Sequence, residues 1–399
     1  MKVCFETFGC RLNRAEALEI EAAFLARGWT RTERHDDADM IIVRGCSVTA
    51  RAQADCERLI AHIRNKYPFK RVVVTGCIKN HSNERWLKDL VTGQGPAPTR
   101  TARAYLKIQD GCSAQCSFCI VPSFRGKAKS VPFEEAVAGA KRYLDAGYHE
   151  IVLTGCSLSQ YADGGHRLAD VVAAVADIPG YDHRVRLGSV EPVAAAADVV
   201  RAMAERENVC RFLHLTVQSG SGRILAAMRR PYGVKDVDTL VKGAVALMPD
   251  LSVGCDIMSG FPGESDMDHL ATMAMIKRLP FSNAHVFPFS ERPGTKAATF
   301  DEVVPPSLRS ERAHDIADTV AKMRADYAKR FRGRKVKIVV EDEDRLAGWT
   351  SEYLWCRLSR AFAESRAHSH SRAVAAPRKS IVAMRVTEVE GEFLRGVPV

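Results

Sequence analysis

The stretch Ala104-Tyr-Leu-Lys107-Ile-Gln-Asp110-Gly-Cys112-Ser-Ala-Gln-Cys116-Ser-Phe118-Cys119 decides the architecture. Its first half is a short apolar run that reads as a strand. Its second half puts three thiols on the loop that leaves that strand. Further strand-like runs follow at 149–154, 184–189, 211–217, 251–258 and 283–289, with helical patterns between them. One of these helices carries Phe133, Ala136, Val137, Ala140 and Leu144 on a face, with Pro132 suited to its first turn. Six βα units predict a partial (β/α)6 barrel over 104–305, with the cysteine loop at the rim formed by the strands' C-terminal ends. Such barrels carry their chemistry at that rim.

Two strands separate their faces by alternation. Leu213, Leu215 and Val217 share one side, and His214, Thr216 and Gln218 the other. Val253, Cys255 and Ile257 face one way, and Ser252, Gly254 and Asp256 the other. The apolar sides are expected on helices. The polar sides predict an interior shaped for a polar ligand.

Residues 1–92 read as a small three-layer α/β domain with a parallel sheet. Strands are expected at Lys2–Phe8, Met40–Val43 and Arg71–Thr75. One helix has Leu18, Ala22 and Leu25 on a face, and a second has Cys56, Leu59, Ile60, Ile63 and Tyr67 in one stripe. Gly93–Pro98 reads as a linker. Residues 306–332 predict a connecting helix with Ile316, Val320, Met323, Tyr327 and Phe331 on one side, after a Val304-Pro-Pro306 hinge. From 333 to 399 the pattern turns to β, at Val336–Val340, Tyr353–Leu358 and Ile381–Val386, and predicts a small β-barrel. Its 357–379 stretch is Arg-rich and without apolar period.

Composition bounds the function. The chain has 399 residues, 58 Lys plus Arg against 48 Asp plus Glu, and a net charge of +10. Hydrophobic content of 46% with 27% charged residues excludes a disordered or fibrous chain. No apolar run approaches the roughly 18 residues of a membrane span. The opening Met1-Lys-Val-Cys-Phe-Glu6 lacks the apolar core of a signal peptide, so a cytoplasmic location is expected, with no membrane partner. The positive charge admits a polyanion such as RNA, or simply a basic soluble enzyme. Twelve cysteines in a reducing compartment point to metal or chemistry rather than disulfides.

Three thiolates at C-x3-C-x2-C spacing can hold three irons of a four-iron, four-sulfur cluster and leave the fourth iron open to a small chelating molecule. Zinc is the rival reading, but a structural zinc wants four ligands, and no further Cys or His follows at a suitable spacing. A second set is formed by Cys10, Cys46 and Cys77. Each follows a glycine at the end of one of the first three strands. Parallel strands would bring these three to one sheet edge, and the glycines would let the chain turn beside a bulky ligand. A second cluster is the natural expectation. Cys56 and Cys255 read as core, Cys4, Cys210 and Cys356 show no partner pattern, and Cys156 at the second rim loop stays open between core and site.

Cys112 to Cys119, with Phe118 before the last cysteine, resembles the signature of radical S-adenosylmethionine enzymes. Thr7-Phe-Gly-Cys10-Arg-Leu-Asn13, Val74-Thr-Gly-Cys77, Ile120-Val-Pro-Ser-Phe-Arg125-Gly126, Gln218-Ser-Gly-Ser221, Gly260-Phe-Pro-Gly-Glu264 and Ser290-Glu-Arg292-Pro-Gly-Thr295-Lys-Ala-Ala298 together resemble the methylthiotransferase family over nearly the whole chain. The C-terminal part resembles that family's RNA-binding TRAM domain. Ser189-Val-Glu191-Pro192 is closest to the branch acting on N6-threonylcarbamoyladenosine 37 of tRNA, and Arg229-Arg230-Pro-Tyr232 is compatible with it.

The resemblance implies two 4Fe–4S clusters, one on catalytic Cys112, Cys116 and Cys119 and one on Cys10, Cys46 and Cys77. It implies S-adenosyl-L-methionine as the second cofactor, a tRNA anticodon loop as partner, and an electron donor such as flavodoxin or ferredoxin. Cleavage of the sulfonium would give a 5′-deoxyadenosyl radical that abstracts hydrogen from C2 of the adenine, a carbon that ordinary bases cannot activate. Phe118, Gly155, Glu191, Gln218 and Asp256 are the expected cofactor contacts. For Glu191, Gln218 and Asp256 a structural hydrogen bond closing the rim is an equal reading, and His214 reads as a core histidine. The alternatives are methylthiolation of isopentenyladenosine 37 or of a ribosomal protein, and a non-catalytic metal- and RNA-binding protein.

Overall fold

A computed structural model describes residues 1–78, 86–87, 101–359 and 377–399. The expected linker at 93–98 and most of the Arg-rich stretch lie outside the described residues. No helix among the described residues is long and apolar enough to cross a membrane.

The N-terminal sheet is parallel throughout. Its strands run in the order Thr30–Arg31, Lys2–Thr7, Met40–Cys46, Arg71–Cys77. The two-residue edge strand had no sequence signal. Alternation along the strands makes two apolar layers. Cys4, Ile41, Val43 and Val74 pack under Cys56, Ile60 and Ile63 of the Ala50–Lys66 helix. On the other face Val3, Phe5, Ile42 and Val73 pack under Ile20 and Phe24 of the Arg11–Leu25 helix. The expected Leu18–Ala22–Leu25 stripe is corrected here. Leu25 is 41% exposed, while Leu18 and Ala15 turn the opposite way and pack on Tyr105 and Val152 of the barrel. The helix is thus wedged between the sheet and the barrel's inner wall.

The barrel strands form two parallel sheets. One runs Arg184–Leu187, Glu150–Thr154, Ala104–Lys107; the other Ser189–Val190, Phe212–Gln218, Ser252–Ser259, Phe281–Pro288. The expected 184–189 strand is split at Gly188, whose N–H bonds back to the Leu153 carbonyl at 3.0 Å. The apolar faces fall as the alternation predicts: Leu213, Leu215, Val217, Val253, Cys255 and Ile257 join helix residues such as Val171, Val199 and Val241 in the main core. The Pro306–Lys329 helix joins two cores, with Ile316 and Val320 in the barrel's and Tyr327 in that of the C-terminal β unit.

That unit is a closed five-stranded barrel of Lys335–Asp342, Ala347–Thr350, Trp355–Leu358, Ile381–Glu390 and Phe393–Pro398. The 347–350 and 393–398 strands were not anticipated. It docks at the N-terminal ends of the large barrel's strands. Glu150, fully buried, takes Arg184 Nε at 2.6 Å and Arg186 Nε at 2.7 Å. The same guanidiniums donate to the Trp349 and Thr350 carbonyls, both at 2.7 Å. Burial opposes ionisation of Glu150, but Arg184 and Arg186 outweigh it and hold the carboxyl well below its usual range. Removing one member of such a cluster leaves a buried charge uncompensated. Glu150→Gln is therefore expected to cost about 3–5 kcal/mol, read as a lowered urea midpoint.

Candidate active site

The Met40–Cys46 and Arg71–Cys77 strands are in register, so Gly45 stands beside Gly76 and Cys46 beside Cys77. Cys10 caps the N-terminus of the Arg11–Leu25 helix, just past the strand on the other side of Met40–Cys46. Gly9 sits at φ +90°, and a Cβ there would lie 2.8 Å from Cys46 Sγ. Only glycine brings this turn so close. Gly76, at φ +96°, is as tight: its Cβ would meet the Gly45 carbonyl at 2.6 Å. Asn13 ties the turns together, donating to the Phe8 carbonyl at 2.7 Å and the Gly45 carbonyl at 2.8 Å. Three thiols distant in sequence therefore gather at one sheet edge.

The second triad lies on the loop after Gln109–Asp110. Cys112 N–H bonds to the Gly126 carbonyl at 3.0 Å, and Ser117 is pinned to Met228 and Ala297 at 3.1 and 2.7 Å. Gln160 Nε2 donates to Cys112 Sγ at 3.2 Å, and Arg230 Nη1 to Cys116 Sγ at 2.9 Å. Phe118 packs edge-on against Phe261, centroids 6.5 Å apart, in an aromatic cluster.

Arg125 joins the two triads. It sits on the short helix Val121–Arg125 that follows the Cys112–Cys119 loop. Its Nε donates to Cys77 Sγ at 2.9 Å. Its Nη1 reaches Asp110 at 2.9 Å, and both Nη atoms reach Glu16 at 3.1 Å. Glu16 also takes Lys107 at 2.9 Å and pairs with Arg44. Burial works against its ionisation, but Arg44, Lys107 and Arg125 overcome it and hold the carboxyl well below the usual range. Cys156 lies against Asp110, sulfur to oxygen 3.6 Å, and so belongs to the same wall.

Burial pushes the Cys46, Cys77 and Cys116 thiols up, and that of Cys119 to about 11. Arg125 opposes the effect at Cys77 and Arg230 at Cys116. Such thiols release protons when they bind metal. Among the described residues, the His/Cys/Asp/Glu group with all ligand atoms within 4.8 Å of one another is Cys4, Glu6 and His35. Neither cysteine triad is that compact. Three thiolates at each site are a donor set suited to an iron–sulfur cluster with one open iron.

The other expected contacts line the same rim and the barrel interior. Glu191 takes Arg230 Nη2 at 2.8 Å and Ser157 Oγ at 3.3 Å, so Arg230 bridges a triad thiol and this carboxylate. Gln218 ends its strand at φ +71°, and its Oε1 is buried without a partner. An orphaned acceptor of this kind fits a donor on a bound molecule. Asp256 accepts from His214 Nε2 at 3.0 Å and lies 3.4 Å from His285 Nδ1. Gly254 makes the room, since a Cβ on it would lie 2.5 Å from His214 Nδ1. Gly155 is explained by packing, because a Cβ there would meet Gln109 at 2.9 Å. Sequence reasoning missed Arg230 and Gln160 as thiol partners and Glu16 as the hub. No spacing connects them to the cysteines they serve.

Residues 106–276 match the radical SAM superfamily, and residues 2–93 match a family described as uncharacterized protein family UPF0004. A threonylcarbamoyladenosine tRNA methylthiotransferase, MtaB, of Aquifex aeolicus is 30% identical over 387 residues, covering 87% of this chain and 94% of its own. The chain belongs to the radical S-adenosylmethionine methylthiotransferase family. MtaB of Thermotoga maritima is 31% identical over 377 residues, covering 85% of this chain and 86% of its own. A tRNA-2-methylthio-N(6)-dimethylallyladenosine synthase of Fusobacterium nucleatum is 29% identical over 399 residues, covering 88% and 92%. Among solved structures, the radical S-adenosylmethionine methyltransferase TsrM of Kitasatospora setae, with cobalamin and a [4Fe-4S] cluster bound, shares the fold. It has a TM-score of 0.55 at 11% identity, covering 74% of this chain and 76% of its own. The enzyme is thus a radical SAM methylthiotransferase.

A hydrogen bond to Asp256 lifts the His285 pKa above its ordinary 6.5, against the effect of burial. The contact is therefore complete below pH about 6.5 and fades as pH rises past the shifted value. An NMR titration is expected to place His285 above 6.5, and Asp256→Asn to return it to 6.5 or lower.

Proposed function

We propose that this enzyme inserts a methylthio group at C2 of N6-threonylcarbamoyladenosine 37 in the anticodon loop of tRNA. It would use one 4Fe–4S cluster on Cys112, Cys116 and Cys119 and a second on Cys10, Cys46 and Cys77. The observation that carries the reading is the Arg125–Cys77 hydrogen bond of 2.9 Å. It ties the helix after one thiol triad to a thiol of the other, as a reaction that passes sulfur to a carbon activated next door requires. For the base, support comes from Ser189-Val-Glu191-Pro192 and from relatives named for threonylcarbamoyladenosine.

The clusters and S-adenosylmethionine supply the electron and the sulfur that an unacidic aryl C–H demands. The chain's own residues position them. Arg230 holds Cys116 and Glu191 in one geometry. Gln218 offers its free acceptor, and Glu191 and Asp256 their carboxylates, to the cofactor or the base; Phe118 and Gly155 pack the loop and the rim behind them. The C-terminal barrel, read as TRAM-like, and the basic tail would hold phosphates while base 37 is splayed from its loop. Such binding weakens with salt. A low-potential donor of the flavodoxin or ferredoxin class would supply electrons.

Deleting the gene is expected to remove 2-methylthio-N6-threonylcarbamoyladenosine from tRNA and to leave the unthiolated nucleoside in its place, read by nucleoside mass spectrometry. Loss of a dimethylallyl nucleoside instead would transfer the reading to that base. Hydrogen bonds to cysteine sulfur raise a cluster's potential. Arg230→Met is therefore expected to shift the reduction potential of the Cys112–Cys116–Cys119 cluster negative in a spectroscopic redox titration.

A further inference from the structure

Arg11 follows Cys10 and opens the Arg11–Leu25 helix. Its Nη2 donates to the Tyr353 hydroxyl at 2.8 Å, and its guanidinium lies 5.4 Å from that ring's centroid. Among the described residues no carboxylate pairs with it. Other cations of the sheet and barrel have carboxylate contacts, Arg44, Lys107 and Arg125 on Glu16, Arg184 and Arg186 on Glu150, and Arg103 on Glu341, while Arg14, one turn along the same helix, is exposed and lies over the Tyr105 ring. Asp256, the nearby anion in the interior, is taken up by His214 and His285.

Tyr353 is held for this contact. It reaches up from the C-terminal barrel at φ +64°, a conformation that costs a non-glycine residue on the order of 1–3 kcal/mol. Its ring is stacked between Trp349, centroids 4.4 Å apart, and Phe212, 4.6 Å. Phe212 begins the strand whose next inward residue is His214. Arg11 therefore leaves the Cys10 turn and points into the barrel interior, where among the described residues it has no carboxylate contact.

We infer that Arg11 and the Tyr353 hydroxyl form a subsite for a carboxylate carried on the N6 substituent of the substrate base. The inference rests on the function proposed above. A threonylcarbamoyl group ends in a free carboxylate, and a dimethylallyl group has none. A guanidinium fork recognises a carboxylate through paired charge-assisted hydrogen bonds. An apolar substituent would cover this half-buried guanidinium without supplying a charge partner, which is how a polar site rejects a ligand that lacks the matching group.

The test uses the full chain, reconstituted anaerobically, and two anticodon stem-loops that differ only at residue 37. One carries the free threonylcarbamoyl carboxylate, and the other carries it capped as a methylamide. The wild-type protein is expected to bind the free form about tenfold or more tightly. Arg11→Gln is expected to bring the ratio of the two dissociation constants close to one, and Arg11→Lys to keep part of it. Tyr353→Phe keeps the stacked ring and removes the hydroxyl. It is expected to lower the ratio too, and it decides the matter if Arg11→Gln fails to retain iron at its neighbouring thiols. An unchanged ratio in the variants, or equal wild-type binding of both stem-loops, overturns the subsite while leaving methylthiolation of the free form intact. Methylthiolation of a dimethylallyl stem-loop alone would overturn the substrate assignment itself.

Discussion

One half-buried carboxylate, Glu16, holds the reactive half of this molecule together. It lies on the helix wedged between the N-terminal sheet and the barrel, and Arg44 of the sheet, Lys107 of the first barrel strand and Arg125 beside the cysteine loop all converge on it. Each of those cations would be costly to bury alone. Together they form a satisfied network that is stiff because every member depends on the others. Arg125 spends its remaining N–H on Cys77. The distance between the two thiol triads is thus set by charge compensation as much as by apolar packing.

The barrel uses its two ends differently. Strand C-termini carry the cysteine loop, Cys156, Glu191 and Gln218. Strand N-termini carry the Glu150–Arg184–Arg186 cluster, which receives the C-terminal barrel through backbone carbonyls. Parallel strands make this division possible, because all their like ends lie on one side. The C-terminal unit therefore closes the far end, and Tyr353 projects from that closure into the interior.

Much of this was legible in the sequence. The Gly-Cys endings of three strands announced a shared edge, since parallel pairing must align them. The alternation of Leu213 to Val217 and Val253 to Ile257 separated core face from lumen face correctly. Other features were hidden. The break at Gly188 depends on a bond to Leu153, a residue on a neighbouring strand. Leu18 and Leu25 look alike along the helix, but only one of them meets the barrel. Arg230 serves Cys116 across more than a hundred residues, and no local pattern encodes such a meeting.

The sequence by itself determined most of the element types, the two cysteine triads and the family, because these follow from periodicity and from ligand spacing within single loops or at strand ends. Tertiary structure alone decided which charges meet which and where the C-terminal barrel docks, and it brought Arg11 to the Tyr353 hydroxyl. Those outcomes depend on burial and on distances between residues far apart in the chain. A charged side chain acquires its role only when folding removes water from around it and chooses its partner.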